Sequence, residues 1–523
     1  MHEHRYDVVI IGSGAGGGTV AQALAPLVAD GKRVLVLEQG ARVDASEMSG
    51  RELEMAAALY QDDGGFLTAD GAMTLAFGRA YGGSTVVYTG TSLPPPARVI
   101  LKWQVPGLEH TDLLARARRY AVENNVHTLE PALLNDNNRL FAEGCAALGM
   151  EAEQFPVNVK GCLGSSLCNL GCPNGAKQGT HVVQLPAAER AGVEVVTRAQ
   201  VLRLEPDTRR LHVRVSERRP GEKGRLDEWP AGEHSVTVDI VVVAGGSIGS
   251  SALLLRSGLA RALPRLGRGF TCHPAHILVA EHAQRITNDV GHPKSYFLDH
   301  SDLGYVLETC MYFPFITAKN LTGFGEPHSR LLRAFPRLQM ILVLALDHAT
   351  PGNRITVDRH GAPVVHYTFT DDVIDGLVAA TRTSARIFFA AGAVRVHAPE
   401  ADPPLIERRD AERVPELIRR EHFLPGRISV SAAHLMGGCG MGRDARDSVT
   451  DSRGRVHGLP WLRVADSALF PDSLEINPYL TVMALADRVA EGVGQDLGAL
   501  PAPAPVAATS SGSAPGGVNA GGG

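Results

Sequence analysis

The first clear pattern in the chain is a short run from Tyr6 to Ile11, apolar and mostly β-branched apart from Asp7, as in a buried strand. The turn GSGAGGG follows, then a helical stretch to about Leu27, then RVLVLE ending at Glu38. This is a complete strand–helix–strand unit. A second strand, glycine turn and helix is predicted over Asp239 to Gly258, after an alternating strand-like segment from Val193 to Glu205. Further strand-like runs are Leu338 to His348 and Ala362 to Thr370, with a helix through ARIFFAAGA and a last helical pattern from Pro478 to about residue 494.

Pieces of one sheet are thus spread along the chain. The expected fold class is α/β, with a Rossmann-like dinucleotide-binding domain built from discontinuous segments and an inserted α+β substrate domain containing an antiparallel sheet. The expected boundaries are 1–100, 155–275 and 430–498 for the first domain and 101–154 with 276–429 for the second. Residues 499–523, rich in Pro, Ala, Gly and Ser, are expected to be a disordered tail.

Composition narrows the function classes. A length of 523 residues with a formal net charge of -5 leaves room for a bipartite enzyme and gives no extended basic surface for nucleic acid. The start, MHEHRYDVVIIG, lacks a signal-peptide layout, and no apolar run reaches the roughly 18 to 20 residues of a membrane span. A cytoplasmic protein is the expectation, with export only if a partner subunit carries the signal. An odd count of 7 cysteines argues against a disulfide framework.

In the first unit Gly12, Gly14 and Gly17 fit G-x-G-x-x-G, and Glu38 follows about 20 residues on. Such glycines permit a tight turn and close approach to a pyrophosphate, the helix start offers free N–H groups, and the acid can accept ribose hydroxyls. The motif alone fits NAD or FAD. Cys162, Cys168 and Cys172 crowd the stretch GCLGSSLCNLGCPNGAK, which reads as a metal site or as a tight structural loop with buried thiols. Asn477 and Pro478 suit the N-cap and first residue of the last helix.

Three further blocks, GRAYGGSTVVYTGTS (Gly78 to Ser92), GRGFTCHP (Gly267 to Pro274) and HLMGGCGMG with the stretch from Val449 to Glu491, resemble flavin signatures of the glucose–methanol–choline (GMC) oxidoreductases. The closer resemblance is to the branch of long-chain alcohol oxidases, bacterial cholesterol oxidases and FAD sugar-dehydrogenase catalytic subunits. It implies FAD, hydride transfer to the flavin, and an alcohol as the small-molecule substrate. It also implies that His434 is the base and that Asn477 faces the substrate oxygen while its helix start, with Pro478, faces the flavin. Val201, Gly82, Gly83, Ser84 and Asp466 are implied cofactor contacts. Glu308 is a candidate for an extra carboxylate that sterol-oxidising relatives place near the substrate.

No histidine or cysteine occupies Gly82 to Gly90, where covalently flavinylated relatives hold their link, so noncovalent FAD is expected. The cysteine spacing resembles the loop by which sugar-dehydrogenase subunits hold an iron–sulfur cluster, and such a cluster would pass electrons to an acceptor protein. Quinone and oxygen are the other acceptors the resemblance implies. A non-redox lyase built on the same scaffold is the alternative reading.

Overall fold

A computed structural model describes residues 2–218, 229–321, 323–398, 400 and 405–498. The expected disordered tail lies outside the described residues.

The chain forms two large sheets. At the centre of the first, strand His2–Ile11 runs parallel between Gly232–Val243 and Val34–Leu37, with Leu459–Val464 and Glu194–Val196 extending the parallel set outwards. Val8, Val9 and Ile10 have no exposed surface, which is why their run carries no polar alternation. Strands Ala199–Glu205 and Arg210–Val215 turn back onto Gly232–Val243 in antiparallel pairing. The helices Ala15–Leu24, Gly246–Arg256 and Tyr479–Asp496 follow strands of this sheet or lie against its core.

The second sheet has ten strands and is largely antiparallel. Its centre is Ala275–Glu281 paired with Leu338–Ala345, which pairs in turn with Tyr305–Thr309. Alternation along these strands gives the sheet two different faces. Leu278, Ala280, Ile341, Val343 and Ala345 pack with Leu377 and Phe388 of helix Asp371–Ala390. Ala275, Ile277, Leu342 and Leu344 point the other way and line the main cavity.

Packing does not follow the expected boundary at residue 101. Val99, Ile100, Trp103, Leu113, Ala117 and Tyr120 join the core of the first sheet. Arg116 and Arg119, on helix His110–Glu123, form ion pairs with Asp487 of the last helix. In the other direction, Phe66–Leu67 and Met73–Leu75 belong to the second sheet, although they fall within the segment expected for the first domain.

Candidate active site

A cavity of about 540 Å³ runs from the glycine turn to the inner face of the second sheet. At one end lie Gly12, Ser13, Gly14 and Glu38, with Ala199 to Val201 beside them, and at the other lie His434 and Asn477.

The glycine turn shows why side chains are excluded. A Cβ on Gly12, whose φ is +103°, would sit 2.3 Å from the Ala244 carbonyl oxygen, and one on Gly17 would sit 1.9 Å from that of Gly12. Gly14 is different, because a Cβ there would meet only Gly83 Cα at 3.8 Å and would instead occupy cavity space. Gly14 also precedes a helix with no side-chain cap and no acid in its first turn. Uncapped N–H groups opening into a cavity beside a bare glycine suit a pyrophosphate, so these residues fit a dinucleotide.

Glu38 lines the cavity, yet its carboxylate already holds protein. It accepts from the Ser13 N–H at 3.0 Å, the Ser13 hydroxyl at 2.6 Å and the Gly40 N–H at 2.7 Å. Ser13 Oγ accepts in turn from the Gly82 N–H at 2.9 Å. Glu38 therefore braces the glycine turn and, through Ser13, the loop carrying Gly82, Gly83 and Ser84. Burial pushes its carboxyl above the ordinary range, with those donors acting in opposition. Gly82 and Gly83 both have positive φ, at +102° and +53°. Gly83 and Ser84 line the cavity, while Gly82 is tied to it through Ser13.

Asp466 also lines the cavity and is also engaged. It accepts from Ser250 Oγ at 2.5 Å, Ala468 N–H at 2.7 Å and Gly246 N–H at 2.9 Å, and burial raises it to about 6. It joins the C-terminal block to the second glycine turn. Val201, 4% exposed, presents an apolar patch at the cavity's nucleotide end.

Asn477 Nδ2 lies 3.1 Å from His434 Nε2. Asn477 is thus not the helix cap its position suggested, for the last helix begins at Tyr479 with Pro478 at the cap position and no side-chain cap. Pro478 also lines the cavity. With the amide donating to Nε2, His434 carries its proton on Nδ1, which lies 3.1 Å from His273 Nδ1; His273 Nε2 lies 2.8 Å from Ser473 Oγ. Burial, then the Lys294 charge, lowers His434 to about 3, and burial holds His273 well below the ordinary range. Burial thus favours the neutral form of both rings.

His273 had no role assigned from the sequence, although it lies in GRGFTCHP. It holds a φ of +52°, and the carboxylate of Asp347 accepts both the Cys272 N–H at 2.9 Å and the His273 N–H at 3.0 Å, which keeps the turn in place. Glu308 is not a free acid either: it is buried and paired with Lys294, which lines the cavity.

The three loop cysteines are free thiols, and among the described residues no group of three or more His, Cys, Asp and Glu side chains could hold a metal ion. Burial pushes Cys168 up to about 12. What organises the loop is Lys177, a buried ammonium that donates to the carbonyls of Val86, Tyr88 and Cys168 at 2.6 to 2.8 Å. Asn169 and Leu170 of the same loop form part of the cavity wall. Among the described residues no helix is long and apolar enough to cross a membrane.

The chain is 33% identical over 497 residues to an uncharacterised GMC-type oxidoreductase of Mycobacterium tuberculosis, covering 93% of this chain and 75% of that one. A long-chain-alcohol oxidase of Arabidopsis thaliana is 25% identical, with 93% and 66% covered, and a paromamine 6'-oxidase of Streptomyces fradiae is 28% identical, with 94% and 92% covered. The crystal structure of a pyridoxine 4-oxidase from Mesorbium loti superposes with a TM-score of 0.67 at 18% identity, covering 93% of this chain and 98% of that one, a likeness of fold. The N- and C-terminal GMC oxidoreductase family models match residues 56–275 and 349–486. The chain belongs to the GMC oxidoreductases and is an FAD-dependent oxidoreductase acting on CH–OH donors.

Proposed function

We propose that this protein oxidises a primary or secondary alcohol to the aldehyde or ketone, with His434 as the proton acceptor and FAD held without a covalent link. The observation that carries the reading is the Asn477–His434 contact inside the cavity that also holds the glycine turn. FAD, when bound, supplies the acceptor for the hydride that leaves the carbinol carbon.

The chain's own residues supply the rest. Gly12, Gly14 and the uncapped helix start would receive the pyrophosphate, Val201 would offer the adenine an apolar contact, and Gly83 and Ser84 would hold the cofactor from the facing loop. Glu38 and Asp466 hold the surrounding backbone. A substrate hydroxyl entering between the two groups would replace their mutual hydrogen bond, so that His434 Nε2 accepts the hydroxyl proton and Asn477 Nδ2 donates to the substrate oxygen. The proton on His434 Nδ1 and its contact with His273 fix the ring so that Nε2 faces the cavity. Ala275, Ile277, Leu342 and Leu344 form an apolar wall for the carbon skeleton and exclude water. The long-chain-alcohol oxidase among the relatives supports an alcohol substrate. The Lys177 contacts support the cysteine loop as a wall of the cavity rather than a metal site.

A panel of fatty, terpenoid, sterol and sugar alcohols, assayed with an artificial dye and separately with oxygen, tests this reading. Alcohol-dependent dye reduction by protein that is loaded with FAD and free of iron is the expected result. If no alcohol reduces the dye or oxygen, the reading fails, and about three irons per chain after anaerobic purification would overturn the structural role of the loop.

A further inference from the structure

The cavity that holds His434 is lined in part by apolar residues of the second sheet and carries a buried cation in its wall. Ala275, Ile277, Met311, Leu342 and Leu344 line it, and so does Lys294, 8% exposed. Its Nζ donates to Oε2 of Glu308, which is 1% exposed. A buried ion pair in an apolar wall is a poor stabilising device, because apolar residues of similar volume commonly do as well or better. An ammonium has three N–H groups, and Glu308 accepts from one of them. Lys294 and His434 both line this cavity.

We propose that Lys294 is a specificity-determining residue that donates to a second, uncharged oxygen on the alcohol, a hydroxyl held near the carbinol that His434 deprotonates. This rests on the alcohol-oxidising reading above and names the substrate class within it. Glu308 offsets the lysine's charge, so the pair as a whole does not draw an anion, while the remaining N–H groups still require an oxygen acceptor. A plain alkanol leaves those donors unpaired on a dry wall, which the enzyme should register as a poorer fit. The preferred substrate is then an amphipathic diol or polyol whose carbon skeleton lies on the apolar face of the second sheet.

Two measurements on FAD-loaded protein test this. In the first, kcat/KM is compared for a 1-alkanol, its series of diols and the matching hydroxy acid, in the native protein, in Lys294→Arg, and in the double variant Lys294→Met/Glu308→Leu, which leaves no buried charge unpaired. The best diol should exceed the alkanol in the native protein, and in the double variant their ratio should fall about tenfold or more, chiefly through KM, with Lys294→Arg keeping part of it. In the second, the oxidised flavin's spectrum is followed while a ditertiary diol or the matching tertiary monoalcohol is added. Neither can give up a carbinol hydrogen, so binding is read without turnover. The diol should bind more tightly to the native protein and lose that advantage in the double variant. An unchanged preference in a folded, FAD-loaded double variant would overturn the proposal, as would a native preference for the hydroxy acid. If no alcohol is oxidised but the tertiary diol still binds through Lys294, the alcohol-oxidising reading fails and the recognition role stands.

Discussion

Asn477 and His434 come from segments 43 residues apart and meet with Nδ2 3.1 Å from Nε2. The contact pairs the imidazole lone pair with the amide donor, and a substrate oxygen that takes its place can be held by one and deprotonated by the other. His434→Ala should keep its FAD and reduce flavin reduction by the best alcohol by roughly 100-fold or more, the scale for loss of a general base. Rapid mixing without oxygen reads this directly, and near-native reduction would remove His434 from the chemistry.

His273 acts through its neighbour. Its Nδ1 receives the His434 Nδ1 proton, so His273→Leu should let the His434 ring change tautomer and orientation while its FAD content stays native. We expect kcat to fall by about tenfold with KM little changed, and His273→Gln to recover part of the loss because an amide oxygen can accept the same proton. A loss of stability with kcat per flavin unchanged would mark His273 as structural.

Glu38 should behave differently from a simple ribose contact. Its carboxylate accepts three hydrogen bonds from Ser13 and Gly40, and Ser13 passes the tie on to Gly82. Glu38→Ala should therefore lower both FAD content and the melting temperature of the apoprotein, since buried donors left without partners cost about 1 to 3 kcal/mol. Turnover per bound flavin should change far less than in His434→Ala. An unchanged apoprotein melting temperature would return Glu38 to cofactor contact alone.

Burial holds several histidines neutral, which sets the response to acid. His181 and His434 are lowered to about 3, and His276, His292 and His397 to about 4, against about 6.5 in the unfolded chain. A depressed histidine contributes stability above the unfolded pKa and loses it as pH falls, because the unfolded chain binds the proton first. Asp347 and Asp466, raised by burial to about 6, act in the opposite sense, and they are outnumbered. Stability should thus fall steadily from about pH 6.5 towards pH 4, with net proton uptake on unfolding. Denaturant titrations across that range check it, and a midpoint that rises on acidification would contradict it.

The nucleotide half of this arrangement was legible in the sequence because its signals are local. Gly12, Gly14 and Gly17 fall within six positions, and the strands on either side are short enough to read from apolar runs. His434 and Asn477 were legible only through resemblance, since neither a lone histidine nor an Asn-Pro pair marks a site by itself. Glu308 lies in strand Tyr305–Thr309 and Lys294 just ahead of its neighbour Tyr296–His300, and nothing in the spacing of 14 residues announces an ion pair. The same holds for Arg116 and Asp487, 371 positions apart, whose contact draws helix His110–Glu123 onto the first sheet's core. His273 could have been found, for it is the one ionisable residue besides arginine in GRGFTCHP that could act as a base near neutral pH.

The most direct test of hydride transfer from an alcohol is anaerobic mixing of the FAD-loaded protein with its best alcohol, and with the same alcohol deuterated at the carbinol carbon. The account predicts that the flavin's blue absorption bleaches, that one carbonyl product forms per flavin, and that deuterium slows the bleaching. Product formed over many turnovers while the flavin stays oxidised would contradict it.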